Sequence, residues 1–534
     1  MARGCLRDLV TVLVFLLHIR VSNARHNHFN IRTTSGEVSG FINSTSTPHV
    51  VQFLGIPYAE DPVGKLRFSA PVAKSPSASI LNATKFSPSC PQYNTSVPTF
   101  FSVAQPEYYI EGPTAEECLT LNIWTPLPTL EAQETLSSNS SKYVLPSTGT
   151  PERLPVIIFF HGGQFIVGGT HVAYHQPHRW VERSQKHIAV SIKFVAQLVL
   201  GSLYLPPNLL SYRLNIFGFP NARGINSSSV NLGFLDQRMA VQWVESNIAG
   251  FGGDPSRITL FGQSAGAVGV DAYNLAYPND SSVTGYIMHS GTAWLPTFSK
   301  DKARNNFTFV AESLGCKNSS GTAELDCVRD IPFARIESFL KGYQDNGTVP
   351  SISFVPVQDD ITFFTDPAAR ANAVKLTKPA IIGTNANEGA SLARPYTPSG
   401  PPAAAIQAIT TQFLCSTVKT RSYRSAQNLT TYPYYYMGNF TNISPLPWEG
   451  AYHSSELPVL FEVPSPSRGK SSELEIALGH RMQDLHLAFA TDPSSLLDLG
   501  WPTYNPNGSL LAFGKDNQTT SLISGADVEG PCLV

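Results

Sequence analysis

The sequence predicts an α/β fold, a large and mostly parallel doubly wound sheet flanked by helices, and three stretches carry that prediction. Leu154 to Phe160 is a nearly continuous apolar run, the mark of a strand buried on both faces. Arg257 to Gly262 is a second apolar, β-branched run, and a small-residue segment of helical character starts directly after it. Tyr286-Ile287-Met288 follows at the distance a helix spans. Strand–helix–strand alternation of this kind builds a parallel sheet whose site lies at the carboxyl ends of its strands.

At the amino end, Arg3 and Arg7 precede the apolar run Leu9 to Leu17, and Ser22-Asn23-Ala24 offers small residues for cleavage. This predicts a secretory signal peptide over 1–24, too short for an ordinary transmembrane helix. Ile31 to Phe41 and Val50 to Tyr58 read as short strands joined by turns, and a Pro-rich loop follows. Cys90 to Cys118 is polar and irregular, and a Cys90–Cys118 bridge would tie down a loop of that length. Leu119 to Trp124 alternates as a strand, and the Ser/Thr-rich segment Glu131 to Thr150 reads as a surface excursion. Leu235, Met239, Trp243, Val244 and Ile248 recur at helical spacing before Gly250 and Gly252. Pro379 to Ile382 is a further strand. With no internal repeat and no linker, residues 25–534 are expected to form one domain.

Charged residues make up 14% of the 534 and hydrophobic ones 42%, which suits a large buried core rather than disorder. A net charge of −2 with no basic stripe excludes nucleic acid as the expected partner. Fourteen Asn-x-Ser/Thr sequons, from Asn43 to Asn517, fit a secreted glycoprotein. Beyond the leader six cysteines remain, Cys90, Cys118, Cys316, Cys327, Cys415 and Cys532. In an oxidising compartment they favour disulfides, with about 15 connectivities open. They include no CxxC pair, so neither zinc nor any other metal or cofactor is expected. The chain ends at Val534 without an apolar tail, so no transmembrane anchor is expected either.

The chemistry centres on Gly262-Gln263-Ser264-Ala265-Gly266. A serine on a sharp strand-to-helix turn exposes its hydroxyl, and the flanking glycines remove Cβ atoms that would collide there. Alone the pattern is weak, since about 0.2 chance matches arise in a chain this long. A serine hydroxyl also needs a base, and the base needs an acid to hold its tautomer. Glu388 stands at the carboxyl end of the Pro379–Ile382 strand beside Gly389, and His453 lies between small and aromatic residues. Ser264, Glu388 and His453 come in the order expected of α/β-hydrolases. The tetrahedral intermediate needs N–H donors, which His161-Gly162-Gly163-Gln164-Phe165 and the residue after the nucleophile, Ala265, are placed to supply.

Together with Phe53-Leu54-Gly55-Ile56-Pro57-Tyr58-Ala59, Glu116-Glu117-Cys118-Leu119-Thr120-Leu121-Asn122-Ile123-Trp124, Tyr212-Arg213-Leu214-Asn215 and Asn231-Leu232-Gly233-Phe234-Leu235-Asp236-Gln237-Arg238, these residues resemble the type-B carboxylesterase/lipase family. This is a cholinesterase-like α/β-hydrolase family, and the chain looks most like its secreted fungal members. The resemblance implies Ser264 as nucleophile, His453 as general base and then acid, and Glu388 as orienting acid. It implies an oxyanion hole from Gly163, Gln164 and Ala265, and disulfides Cys90–Cys118, Cys316–Cys327 and Cys415–Cys532. A small-molecule or lipid carboxylic ester is the implied substrate, with transient contact to a lipid interface in a lipase. Two alternatives accompany it: a lipase for long-chain acylglycerols or sterol esters, and a non-catalytic adhesion or binding protein on the same fold.

Three departures from the family pattern bear on function. Gln164 stands where glycine is common, adding bulk beside the pocket. Gln263 replaces the glutamate that often precedes the nucleophile, and the Cys90–Cys118 loop has no tryptophan, so choline esters are poor candidates. Lys193 to Ser211 interrupts a segment that runs almost directly from strand to Tyr-Arg-Leu-Asn in relatives. The reading favoured here is a short unspliced intron translated in frame, ahead of a membrane-binding flap, because an insertion inside a core strand violates the local logic of the sheet.

Overall fold

The computed structural model describes residues 29–532 except 111, 131–151, 170–171, 192–211, 318–319, 350, 465–467 and 507. The expected leader over 1–24, the Ser/Thr-rich excursion and the 193–211 insertion thus lie outside the described residues.

Among the described residues thirteen strands form one sheet: β1 (Phe29–Thr33), β2 (Gly36–Asn43), β3 (Thr47–Pro57), β4 (Ser77–Asn82), β5 (Thr120–Pro126), β6 (Leu154–Phe160), β7 (Ile188–Ser191), β8 (Gly253–Gln263), β9 (Val283–His289), β10 (Ala380–Asn385), β11 (Thr431–Tyr436), β12 (Ser509–Phe513) and β13 (Thr520–Ser524). Their order is β1-β2-β3-β5-β7-β6-β8-β9-β10-β11-β12-β13, with β4 paired to β2. From β7 to β12 every neighbour is parallel. The links β1–β2, β2–β3, β3–β5, β5–β7 and β12–β13 are antiparallel. The predicted mostly parallel α/β sheet is therefore present.

The continuous apolar run of β6 has the predicted cause. Val156, Ile158 and Phe160 enter a core cluster on one face, and Ile157 and Phe159 enter another on the opposite face. The five longest described helices are α1 (Leu232–Asn247), α2 (Ala265–Ala276), α3 (Phe333–Asp345), α4 (Ala403–Ala426) and α5 (Glu473–Thr491). Val241 and Val244 of α1 pack on the first face, and Leu478, Met482 and Leu485 of α5 on the second. The spacing predicted α1 to start near Leu235, but it starts three residues earlier, because Leu232 and Phe234 are buried as well. Asp236 on the same helix is also buried, where Arg213 meets it through a fork of two bonds, Nη2 to Oδ1 at 2.7 Å and Nε to Oδ2 at 2.9 Å.

Candidate active site

Ser264 sits where β8 gives way to α2, with φ 56° and ψ −125°, a sparsely populated conformation for a residue with a side chain. The surrounding glycines are what make the turn possible. A Cβ on Gly262 would lie 2.4 Å from the Gly266 carbonyl, and one on Gly266 would lie 2.0 Å from the Phe160 oxygen. The Ser264 N–H donates to the His289 carbonyl at 2.8 Å, so the neighbouring parallel strand holds the turn in place. The amino end of α2, which begins at Ala265, points its positive dipole end at the same spot.

Three segments far apart in sequence meet at Ser264. His453 Nε2 lies 2.8 Å from Ser264 Oγ, and His453 Nδ1 lies 2.5 Å from Glu388 Oε2. The other Glu388 oxygen accepts from Ser290 Oγ at 2.5 Å and from the Asn385 N–H at 2.7 Å. Glu388 is fully buried, so three donors compensate a carboxylate removed from water. An ionised carboxylate only accepts, so Nδ1 carries the histidine proton and Nε2 is left to accept from Ser264. The loops carrying Glu388 and His453 are pinned to each other by Asn387. Its side-chain amide donates to the carbonyls of Trp448 and Glu449, and its backbone N–H donates to Ala451 at 2.9 Å. Phe413 of α4 packs its ring 4.8 Å from that of His453.

Sequence reasoning did not find the groups behind Glu388. Asn385 Nδ2 donates to Glu456 Oε2 at 2.6 Å, and Glu456 Oε1 faces His289 Nδ1 at 3.4 Å. His289 Nε2 and His486 Nε2 are 2.9 Å apart, and His486 Nδ1 donates to the Met482 carbonyl at 2.7 Å. Burial pushes the His486 pKa down to about 3, so His486 is neutral and its Nε2 accepts from His289. No spacing in the chain announces this cluster, because its members come from β9, β10, the short helix Glu456–Leu460, and α5.

The loop at 161–169 brings Gly163 and Gln164 to the same place. Gly163 has φ 109°, and a Cβ there would lie 2.0 Å from the Val167 carbonyl, so glycine is required. Gln164 has φ 58°, a left-handed conformation that explains why glycine suits this position in relatives. The N–H groups of Gly163, Gln164 and Ala265 find no backbone or side-chain acceptor among the described residues. Gln92 clamps this loop by donating to the Gly168 carbonyl at 2.6 Å and accepting from its N–H at 2.8 Å. Asn215 adds a backbone bond to Phe165 at 2.7 Å and a side-chain bond to Pro91 at 2.9 Å. The Tyr-Arg-Leu-Asn segment thereby supports the site as well as the core.

Above lies a cavity of about 420 Å³, with Gly163, Gln164, Ser264, Ala265 and His453 among its lining residues. The loop between Cys90 and Cys118 contributes Tyr93, Phe101, Tyr108 and Tyr109 to its wall. This loop, read from sequence as irregular, contains a short helix at Phe100–Val103, capped at its amino end by a reciprocal Thr99–Ser102 box. It is also held from outside. Tyr108 donates to the Ser454 carbonyl at 2.7 Å, Asp345 of α3 accepts from Thr95 and Ser96, and Arg468 forks onto Glu107. Three disulfides join Cys90 to Cys118, Cys316 to Cys327 and Cys415 to Cys532.

Comparison with known proteins decides the family. Residues 27–404 match the model of the carboxylesterase family. The chain belongs to the carboxylesterase family. It is 39% identical over 521 residues to a chlorogenic acid esterase of Aspergillus niger, an alignment covering 94% of this chain and 93% of that one. It is 36% identical over 540 residues to secreted lipase 5 of Gibberella zeae, with the same coverage. Acetylcholinesterase of Electrophorus electricus is 30% identical over 398 residues, 71% of this chain and 54% of that one. This carboxylesterase is therefore a carboxylic-ester hydrolase on an α/β-hydrolase fold, similar to a fungal esterase and a fungal secreted lipase. Among the described residues no helix is long and apolar enough to cross a membrane.

Proposed function

We propose that this carboxylesterase is exported and cleaves small carboxylic esters through an acyl-enzyme on Ser264. The reading is carried by the unbroken line from Glu388 through His453 to Ser264 Oγ, with bonds of 2.5 and 2.8 Å, at a cavity open to substrate. Ser264 Oγ attacks the ester carbonyl while its proton passes to His453 Nε2. The carbonyl oxygen becomes an oxyanion facing the N–H groups of Gly163, Gln164 and Ala265. Collapse expels the alcohol, which takes its proton from His453. Water then attacks the acyl group, giving its proton to His453 and releasing the acid, and the proton returns to Ser264 Oγ. Glu388 keeps its negative charge throughout, holds the tautomer, and stabilises the transient imidazolium.

A cavity of about 420 Å³ favours a small ester over a long acyl chain, and among its described lining residues no carboxylate stands to attract a choline head group. Chlorogenic acid, the ester named for the 39% identical relative, is the first natural compound to test. The lipase reading rests on the relative named secreted lipase 5, and it predicts activity that jumps once a triglyceride exceeds its solubility. Export is supported by the leader pattern over 1–24, the sequon density and three disulfides, cross-links that persist in oxidising compartments. In this reading 25–534 is one catalytic domain, and 193–211 is absent from mature message, which sequencing of transcripts checks. The functional test is hydrolysis of 4-nitrophenyl butyrate by wild type and Ser264→Ala. Loss of turnover in the variant is expected, and equal rates would sink the mechanism.

A further inference from the structure

The cavity over Ser264 is nearly free of charge. Among its described lining residues Arg394 is the one Lys, Arg, Asp or Glu. Its polar lining otherwise consists of amides, phenols, hydroxyls and two histidines, and includes Gln344, Gln412 and Tyr109. His175 also lines the cavity, but burial holds its pKa down at about 3, so it contributes no cation. Arg394 follows the short helix Gly389–Leu392 that begins immediately after Glu388, so the chain that places the acid also places this guanidinium. No ion pair or hydrogen bond ties Arg394 to any described residue. The Tyr109 phenol lines the same cavity, and its hydroxyl lies 3.1 Å from Thr99 Oγ1 on the Cys90–Cys118 loop.

An unpaired surface arginine carries no such meaning by itself. This one lines the cavity that contains Ser264, no acid among the described lining residues competes for it, and the Tyr109 phenol of the same lining offers a second donor. A guanidinium remains charged at any working pH and offers a planar fork that matches a carboxylate. A cleft lined by one sign of charge concentrates ligands of the other sign. We propose that Arg394, with Tyr109, receives a carboxylate of the substrate, so that the preferred esters of this enzyme are anionic ones. This rests on the serine-esterase reading above and narrows it to esters bearing a free carboxylate. Arg394 is a specificity residue in this account, acting on substrate outside the bond-breaking step.

Two matched pairs of esters test the proposal and locate the carboxylate. The first is 3-carboxyphenyl acetate against its methyl-ester analogue, with the charge on the alcohol half. The second is mono-4-nitrophenyl glutarate against 4-nitrophenyl pentanoate, with the charge on the acyl half. In wild type, kcat/KM for the anionic member divided by that for the neutral one is expected to be high in one pair and to fall with added salt. Arg394→Gln is expected to lower that ratio by about tenfold, mainly through KM, and Arg394→Lys to keep an intermediate value. The responding pair identifies the half that meets Arg394. An unchanged ratio in both pairs overturns the proposal, even if Ser264→Ala is inactive. Turnover surviving in Ser264→Ala would instead overturn the serine reading, so the two failures are distinguishable.

Discussion

Replacing Glu388 by glutamine should disable the enzyme through a proton placed on the wrong nitrogen. Glu388 Oε1 accepts from Ser290 Oγ and the Asn385 N–H, while Oε2 accepts from His453 Nδ1. In Glu388→Gln the carbonyl oxygen of the amide keeps the two donors from Ser290 and Asn385, because an NH2 group cannot accept from them. The NH2 group then faces His453 and forces Nδ1 to become the acceptor. The remaining proton moves to Nε2, which can no longer receive one from Ser264. The charge opposite the transient imidazolium is lost in the same step. An acid-to-amide change of this kind costs about 10⁴ in kcat, or about 5.4 kcal/mol of transition-state stabilisation at ~1.36 kcal/mol per decade. The assay is steady-state hydrolysis of 4-nitrophenyl butyrate, with thermal melting to confirm folding and Glu388→Asp as a charge-preserving control. Glutamate and glutamine are nearly isosteric, so the site geometry survives. A folded Glu388→Gln enzyme retaining about a tenth or more of wild-type kcat would refute the tautomer argument.

Two further outcomes follow from the structure. Gly266→Ala would push a methyl group to 2.0 Å from the Phe160 oxygen. Backbone atoms cannot yield as a side chain can, so the variant should melt well below wild type and lose activity, whereas Ser264→Ala should melt near it; equal melting of all three refutes the glycine argument. The second outcome concerns pH. Burial pushes the Glu337 carboxyl on α3 from 4.5 up to about 8. The folded chain therefore retains this proton between those values while the unfolded chain has released it, so this group's contribution falls as pH rises through the interval. Glu337→Gln should raise the melting temperature relative to wild type more at pH 8 than at pH 5. A difference independent of pH would contradict the assignment.

Much of the fold was legible because parallel strands leave a simple trace. β6 was readable to its ends, since both faces are buried and every position is apolar. The elbow was readable because Gly262 and Gly266 are demanded by local sterics that recur wherever a serine is presented this way. Local spacing fails where a polar residue is buried for the sake of a distant partner. Asp236 looks like an ordinary position on a helix, and only the approach of Arg213 explains its burial. The consecutive His289 and Ser290 converge behind Glu388 with Asn385, Glu456 and His486 from four separate places in the chain, so no window of sequence contains the pattern. The short helix at Phe100–Val103 escaped notice because prolines dominate its surroundings, although Thr99 and Ser102 spell out its cap.

The central claim is that Ser264 carries the acyl group. Intact-mass and peptide mass spectrometry after treatment with an aryl phosphate ester measures this directly, since such reagents trap an activated serine as a stable phosphoryl adduct. The account predicts one adduct per chain, on the peptide containing Ser264, with loss of ester hydrolysis in step and no adduct in Ser264→Ala. Labelling at another residue, or an unlabelled enzyme that still hydrolyses esters after Ser264→Ala, would contradict it.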